Sequence, residues 1–177
     1  ILDKATVARI AANNSELRSI YFLRHPIARG WSDIVNSLAK KRRVSINNVS
    51  EQDMLSRIEE PDFLARTNYA DNIRRWRSVF GENKLFIGFF EDIQKQPDVL
   101  INRLCEFLGV RGSGVIDNQR LRSPQNASTP FSAPIPPNVE FNLAKKLYPM
   151  IREIQELLGG YADQWLEDAE KILRRSA

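Results

Sequence analysis

The feature that most constrains this chain is a run of apolar residues that breaks abruptly into a proline-started segment. Residues 19–24 read SIYFLR, rich in β-branched and aromatic side chains, and Pro26 follows two positions later. Such a run suits a strand buried on both faces. Proline is favoured in the first turn of a helix, where its missing N–H has no intrahelical partner to lose. Residues 84–90 (KLFIGFF) repeat the pattern and turn into Glu91–Asp92 and a second proline, Pro97. Helices that separate two such strands imply a parallel sheet flanked by helices, the α/β class.

The helical segments are legible from periodicity and caps. Asp3 is placed to cap a helix through Ala12, carrying Val7, Ile10 and Ala11 on one side. Trp31, Ile34, Val35 and Leu38 continue the helix begun at Pro26, and the basic stretch 40–48 reads as a loop. Ser50 and Asp53 form an approximate capping box for a helix that stops near Pro61. Tyr69, Ile73, Trp76 and Phe80 recur at helical spacing after Asn68, and Gly81 closes that helix. Pro97 opens another through Leu108, stopped by Gly109. Residues 112–137 are rich in Gly, Ser, Asn and Pro, and two helices follow over 138–158 and 161–174, separated by Gly159–Gly160. A parallel sheet normally holds about four to six strands, so further strands are expected outside this chain, which begins at Ile1.

Composition narrows the function classes. The 26 Lys and Arg exceed the 22 Asp and Glu by four, a modest excess compatible with an anionic ligand. The single cysteine, Cys105, excludes an internal disulfide and reads as a buried packing thiol. One cysteine and one histidine supply too few soft ligands for a metal site. No apolar run is long enough to cross a membrane, and a cytoplasmic setting is expected. Basic residues are not interleaved with aromatics, so nucleic acid is not the expected partner.

Arg24 stands at the carboxyl end of the first strand, where ligands bind in open α/β sheets. The amides at the start of the following helix favour an anion, and a guanidinium can grip phosphate through two hydrogen bonds. Ser32 lies eight residues further on and offers a hydroxyl. A surface arginine and a helix-interior serine are the plain alternative.

The stretch IYFLRHPIARGWS, residues 20–32, resembles the 3′-phosphate-binding element of sulfotransferases. That element is a strand, an arginine, then Asp, Asn or His, a proline, two variable residues, a second arginine, Ala or Gly, one variable residue and a serine. Arg24, Pro26, Arg29 and Ser32 occupy those places. Residues 68–110 resemble the family's next stretch through Tyr69, Ile73, Trp76, Phe80, Glu91–Asp92, Pro97 and Phe107-Leu108-Gly109. The loop after that helix matches less closely.

The resemblance implies a P-loop-NTPase-like sulfotransferase fold, incomplete in this chain, of which residues 1–177 are the C-terminal part of a single domain. Within it, 19–37 is the 3′-phosphate element, 68–110 a core helix-strand-helix, 111–137 a nucleotide-covering loop and 138–175 the C-terminal helices. The implied donor is 3′-phosphoadenosine 5′-phosphosulfate, released as 3′-phosphoadenosine 5′-phosphate. Arg24 and Ser32 would hold its 3′-phosphate, Tyr69 would lie near the adenosine, and Arg122, Asn126 and Ser128 are the loop candidates. The role of Arg29 is structural or unassigned, and His25 occupies the variable place, with no catalytic part expected.

The acceptor would be a hydroxyl or amine of a small molecule or glycan, bordered by the Lys40–Arg43 turn. The family's glycine-rich 5′-phosphosulfate loop with its lysine has no counterpart, since the first glycine is Gly30. That loop and the general base are expected upstream of Ile1, and the catalytic residues are unknown. A non-catalytic nucleotide-binding or scaffold module derived from the same fold is the alternative. A P-loop kinase fails for want of a glycine, four residues, then Gly-Lys-Ser or Gly-Lys-Thr.

Overall fold

The computed structural model describes residues 2–110 and 133–175. These fall into two compact units, one containing residues 2–24 and 71–110, the other 25–70 and 133–175.

The first unit holds α1 (Lys4–Asn13), β1 (Ser19–Leu23), most of α5 (Tyr69–Phe80), β2 (Leu85–Phe89), α6 (Phe90–Lys95) and α7 (Pro97–Leu108). Asp3 caps α1 by accepting the Thr6 amide at 2.7 Å, as its position predicts. The two strands pair in parallel, Ser19 opposite Leu85 through Leu23 opposite Phe89. Both strands therefore end at the same edge, and the residues that follow them, Arg24 and Phe90, leave from it. Phe22 pairs with Gly88, and its ring lies against that glycine: a Cβ there would sit 2.4 Å from the ring.

β1 departs from the expectation of a strand covered on both faces. Leu23 is fully buried, but Ile20 and Phe22 are 43% and 40% exposed. Ile20 and Phe22 share one face of the strand and Leu23 belongs to the other, since alternate side chains point to opposite faces. Gly109, in the left-handed region at φ 69°, closes α7 as the sequence implies. Cys105 on that helix is half-buried, not enclosed, because it stands on the flank of the helix instead of its buried side.

The second unit is helical: α2 (Pro26–Ile34), α3 (Glu51–Glu59), α4 (Pro61–Thr67), α8 (Pro137–Leu158) and α9 (Tyr161–Arg175). A π-helical turn, Val35–Lys40, prolongs α2, and a short 3-10 turn at Ile46–Asn48 precedes α3. α8 packs against α2, α3 and α9. Leu143, Leu147, Ile151 and Ile154 are completely buried along α8 at the spacing a one-sided helix requires. Ser50 caps α3 through the Asp53 amide, at 3.2 Å. Pro61 does more than end α3: it starts α4, a helix the sequence reading left out. The break between α8 and α9 is made by Gly159 and Gly160, both with φ near +60° (58° and 61°).

Candidate functional site

Arg24 leaves the paired strands beyond their carboxyl ends. Its guanidinium carbon stands 5.1 Å from the centroid of the Phe90 ring, which leaves the same edge from β2. A cation over an aromatic face is attracted by the ring quadrupole, and the contact limits where the fork points. The sheet edge thus carries an oriented positive group, the arrangement expected of an anion-binding arginine. Phe90 escaped sequence reasoning because its role depends on strand register.

His25 begins the second unit. Its Nδ1 accepts the Ile27 amide at 3.2 Å, so the side chain caps α2 while Pro26 fills the first helical position. This explains chemically why Asp, Asn or His suits that place in the motif: each presents an acceptor to an otherwise open amide. It also corrects the expectation that the first amides of α2 wait for an anion, since that of Ile27 is already engaged. His25 further rests 6.0 Å from the Trp165 ring, with Nε2 3.9 Å from Asp168 Oδ2. Its neighbourhood gives it a structural part.

Ser32 is half-buried on α2, and Asn36 Nδ2 reaches its Oγ at 3.5 Å, the outer limit of a hydrogen bond. Two residues earlier, Gly30 lets α2 approach its neighbours: an added Cβ would meet Leu143 Cδ2 and Phe63 Cζ, each at 3.0 Å. Arg29 donates from Nη1 to Thr67 Oγ1 at 2.7 Å, joining α2 to α4. The second arginine of the motif therefore has a structural bond within its own unit.

Tyr69 is 4% exposed, its ring 6.5 Å from Trp165. Trp165 of α9 lies against both His25 and Tyr69 and is 1% exposed. The helical spacing of α9 marked Trp165 as apolar, but nothing local linked it to residues so distant in sequence. Arg24 belongs to the first unit, and Ser32 and Tyr69 to the second. Arg122, Asn126 and Ser128 lie outside the described residues.

A cleft of about 310 Å³ opens beside His25, edged by Glu140, Asp168, Lys171 and Arg175. Two acids and two bases leave its field balanced, which suits a phosphate poorly. The strongest charge cluster is elsewhere in the unit. Arg57, 5% exposed, meets Asp33 at 2.7 Å and also binds Glu60 and Asp62. The Asp62 hydrogen bond, foremost, raises the Arg57 pKa further above its ordinary value. Among the described residues no group of three or more His, Cys, Asp or Glu is placed to hold a metal ion. No described helix is long and apolar enough to cross a membrane.

A parallel strand pair flanked by helices, with an arginine just beyond the carboxyl ends of the strands, is an α/β framework. The pattern of the sulfotransferase domain matches residues 5–129, and the chain belongs to the sulfotransferase family. Among solved structures, the crystal structure of a sulfotransferase from Alicyclobacillus acidocaldarius is similar, with a TM-score of 0.66. Identity is 22%, over 92% of this chain and 62% of that one, a likeness of fold. No curated protein matches this sequence.

Proposed function

We propose that this chain is the nucleotide-clamping, C-terminal part of a single sulfotransferase domain that takes 3′-phosphoadenosine 5′-phosphosulfate as donor. Arg24 and Ser32 hold the 3′-phosphate, the arginine by a bidentate grip and the serine by a hydroxyl donor. Tyr69 lies near the adenosine, and Arg122, Asn126 and Ser128, outside the described residues, are the further candidates to contact the nucleotide. The reaction is an in-line transfer of the sulfuryl group to a hydroxyl or amine of a small molecule or glycan. A base removes the acceptor proton as the bond to sulfur forms, and the sulfur–oxygen bond to the nucleotide phosphate breaks. The base and the lysine that steadies the departing phosphate are contributed by polypeptide outside this sequence. The observation that carries the reading is the family match spanning the Arg24–Ser32 motif.

Thermal unfolding with 3′-phosphoadenosine 5′-phosphate tests it, against adenosine 5′-phosphate and against Arg24→Ala. Ligand at a hundred times its dissociation constant adds about 2.7 kcal/mol of stability. The expected stabilisation requires both the 3′-phosphate and Arg24. Equal stabilisation by the two nucleotides, or none even with the full gene product, overturns the clamp.

A further inference from the structure

A group of cations in the second unit is left unused by this reading. Lys40, Lys41, Arg42 and Arg43 are consecutive and all exposed. Elsewhere in the unit Arg57, Arg66, Lys146 and Lys171 pair with carboxylates. The four in the turn form no ion pair with any described residue, and no Asp or Glu occurs between Asp33 and Glu51. Asp33 itself is engaged by Arg57 and Arg66. Like charges this close repel, and nothing near them in sequence offsets that.

The turn is nevertheless firmly built. Backbone bonds run from Lys41 N to Asn36 O at 3.2 Å, Arg43 N to Lys40 O at 3.2 Å and Val44 N to Ala39 O at 3.1 Å. Ala39 and Ile46 anchor its two sides, at 0% and 1% exposure. Arg43 adopts φ 55°, the only described non-glycine residue in the left-handed region. An arginine is sterically disfavoured there, where glycine is not. A charged residue kept in a position that suits glycine points to a use for its side chain.

We propose that the Lys40–Arg43 turn is the docking surface for a polyanionic sugar chain, a polysaccharide already bearing sulfate or carboxylate groups. The charge argument stands alone; the sugar identity rests on the sulfotransferase reading, in which the acceptor becomes sulfated. The surroundings favour a polymer with charge and little apolar surface. The turn itself, Lys-Lys-Arg-Arg, carries neither an aromatic platform for bases nor an apolar wedge for a lipid surface. Lys40 stands eight residues beyond Ser32 on one continuous helical stretch, about 10 Å along its axis because the π turn takes up one residue without added rise. A chain held at the turn is thereby presented along the helix that carries the proposed clamp serine.

The test is binding of a heparin-derived oligosaccharide of defined length to this chain over a range of salt concentrations. Duplex DNA, phosphatidylserine vesicles and polyglutamate serve as alternative polyanions. The variant Lys40→Ser/Lys41→Ser/Arg42→Ser/Arg43→Gly is expected to bind at least tenfold more weakly, with a flatter salt dependence. A charge-matched control, Lys4→Ser/Arg9→Ser/Lys145→Ser/Lys171→Ser, is expected to bind within about twofold of the parent, its losses being scattered. Arg43→Gly alone is expected to raise the melting temperature while weakening the oligosaccharide complex. Equal losses in variant and control, tighter binding of any alternative polyanion, or no oligosaccharide binding overturns the proposal. The 3′-phosphoadenosine 5′-phosphate melting shift, read on the same samples, separates the two readings. A retained shift with no sugar binding sinks the docking surface alone, whereas sugar binding with no shift either in this chain or in the full gene product sinks the clamp.

Discussion

Arg57 and Asp33 meet at 2.7 Å with 6% and 8% of their side chains exposed, and the pair ties α3 to α2. Removing Arg57 leaves the buried Asp33 carboxylate with only the longer Arg66 contact, at 3.4 Å, to offset its charge. Arg57→Leu is therefore expected to lower stability by about 3 kcal/mol. The double variant Arg57→Leu/Asp33→Leu is expected to recover much of that loss. Urea unfolding of the single and double variants checks the coupling, and additive losses would show that the two side chains act independently.

Acid should reach the same cluster from its exposed side. The Arg57 hydrogen bond, before all else, lowers the Asp62 carboxyl below its ordinary 3.8. A carboxyl depressed on folding contributes stability above its unfolded value and loses it as pH falls through the lowered folded one. Stability is therefore expected to decline below pH 3.8, and Asp62→Asn to decline less steeply over that window. Unfolding midpoints measured across it decide the matter, and parallel curves would count against the link.

His25 acts as a cap, and a replacement that keeps an acceptor should serve. His25→Asn is expected to match the parent, while His25→Ala loses about 1 kcal/mol. Sulfuryl transfer by the full gene product supplies the second readout. Activity kept by His25→Asn confirms that no proton passes through this residue, and its loss would give His25 a chemical role.

Gly88 and Phe22 form a matched pair across the strands. Gly88→Ala places a methyl where the ring now lies and is expected to lower stability by about 2 kcal/mol. In a Phe22→Ala background the same change should cost little, because the ring is gone. A double-mutant cycle measures this, and the absence of coupling would mean the ring swings clear.

Much of this architecture was legible because its signals are local. Asp3, Ser50, Gly109 and the Gly159–Gly160 pair each mark a helix end by their own chemistry, and the structure puts the ends there. The two strands announced themselves by residue type, and parallel pairing followed from the helices between them. α4 went unseen because Pro61 can close one helix or open the next, and no neighbouring residue decides which. The site was readable only in part. The motif supplied Arg24 and Ser32, but Phe90 under the Arg24 guanidinium depends on register, and Trp165 beside His25 on the return of a distant helix. The structural part left open for Arg29 could not be specified locally, because Thr67, its hydrogen-bond partner, lies 38 positions away.

The π-helical turn at Val35–Lys40 holds one residue more than an α-helix would use over the same rise. Such a turn is a place where evolution can add or delete a residue without unravelling what precedes it. Deleting Ser37 would let α2 run on regularly to the basic turn. The residues beyond would keep nearly the same direction and height on the helix axis, because the extra residue is taken up in the width of the turn. Lys40–Arg43 thus hangs from α2 through a turn that absorbs a single-residue indel, so a chain one residue shorter here would still aim the same charges the same way.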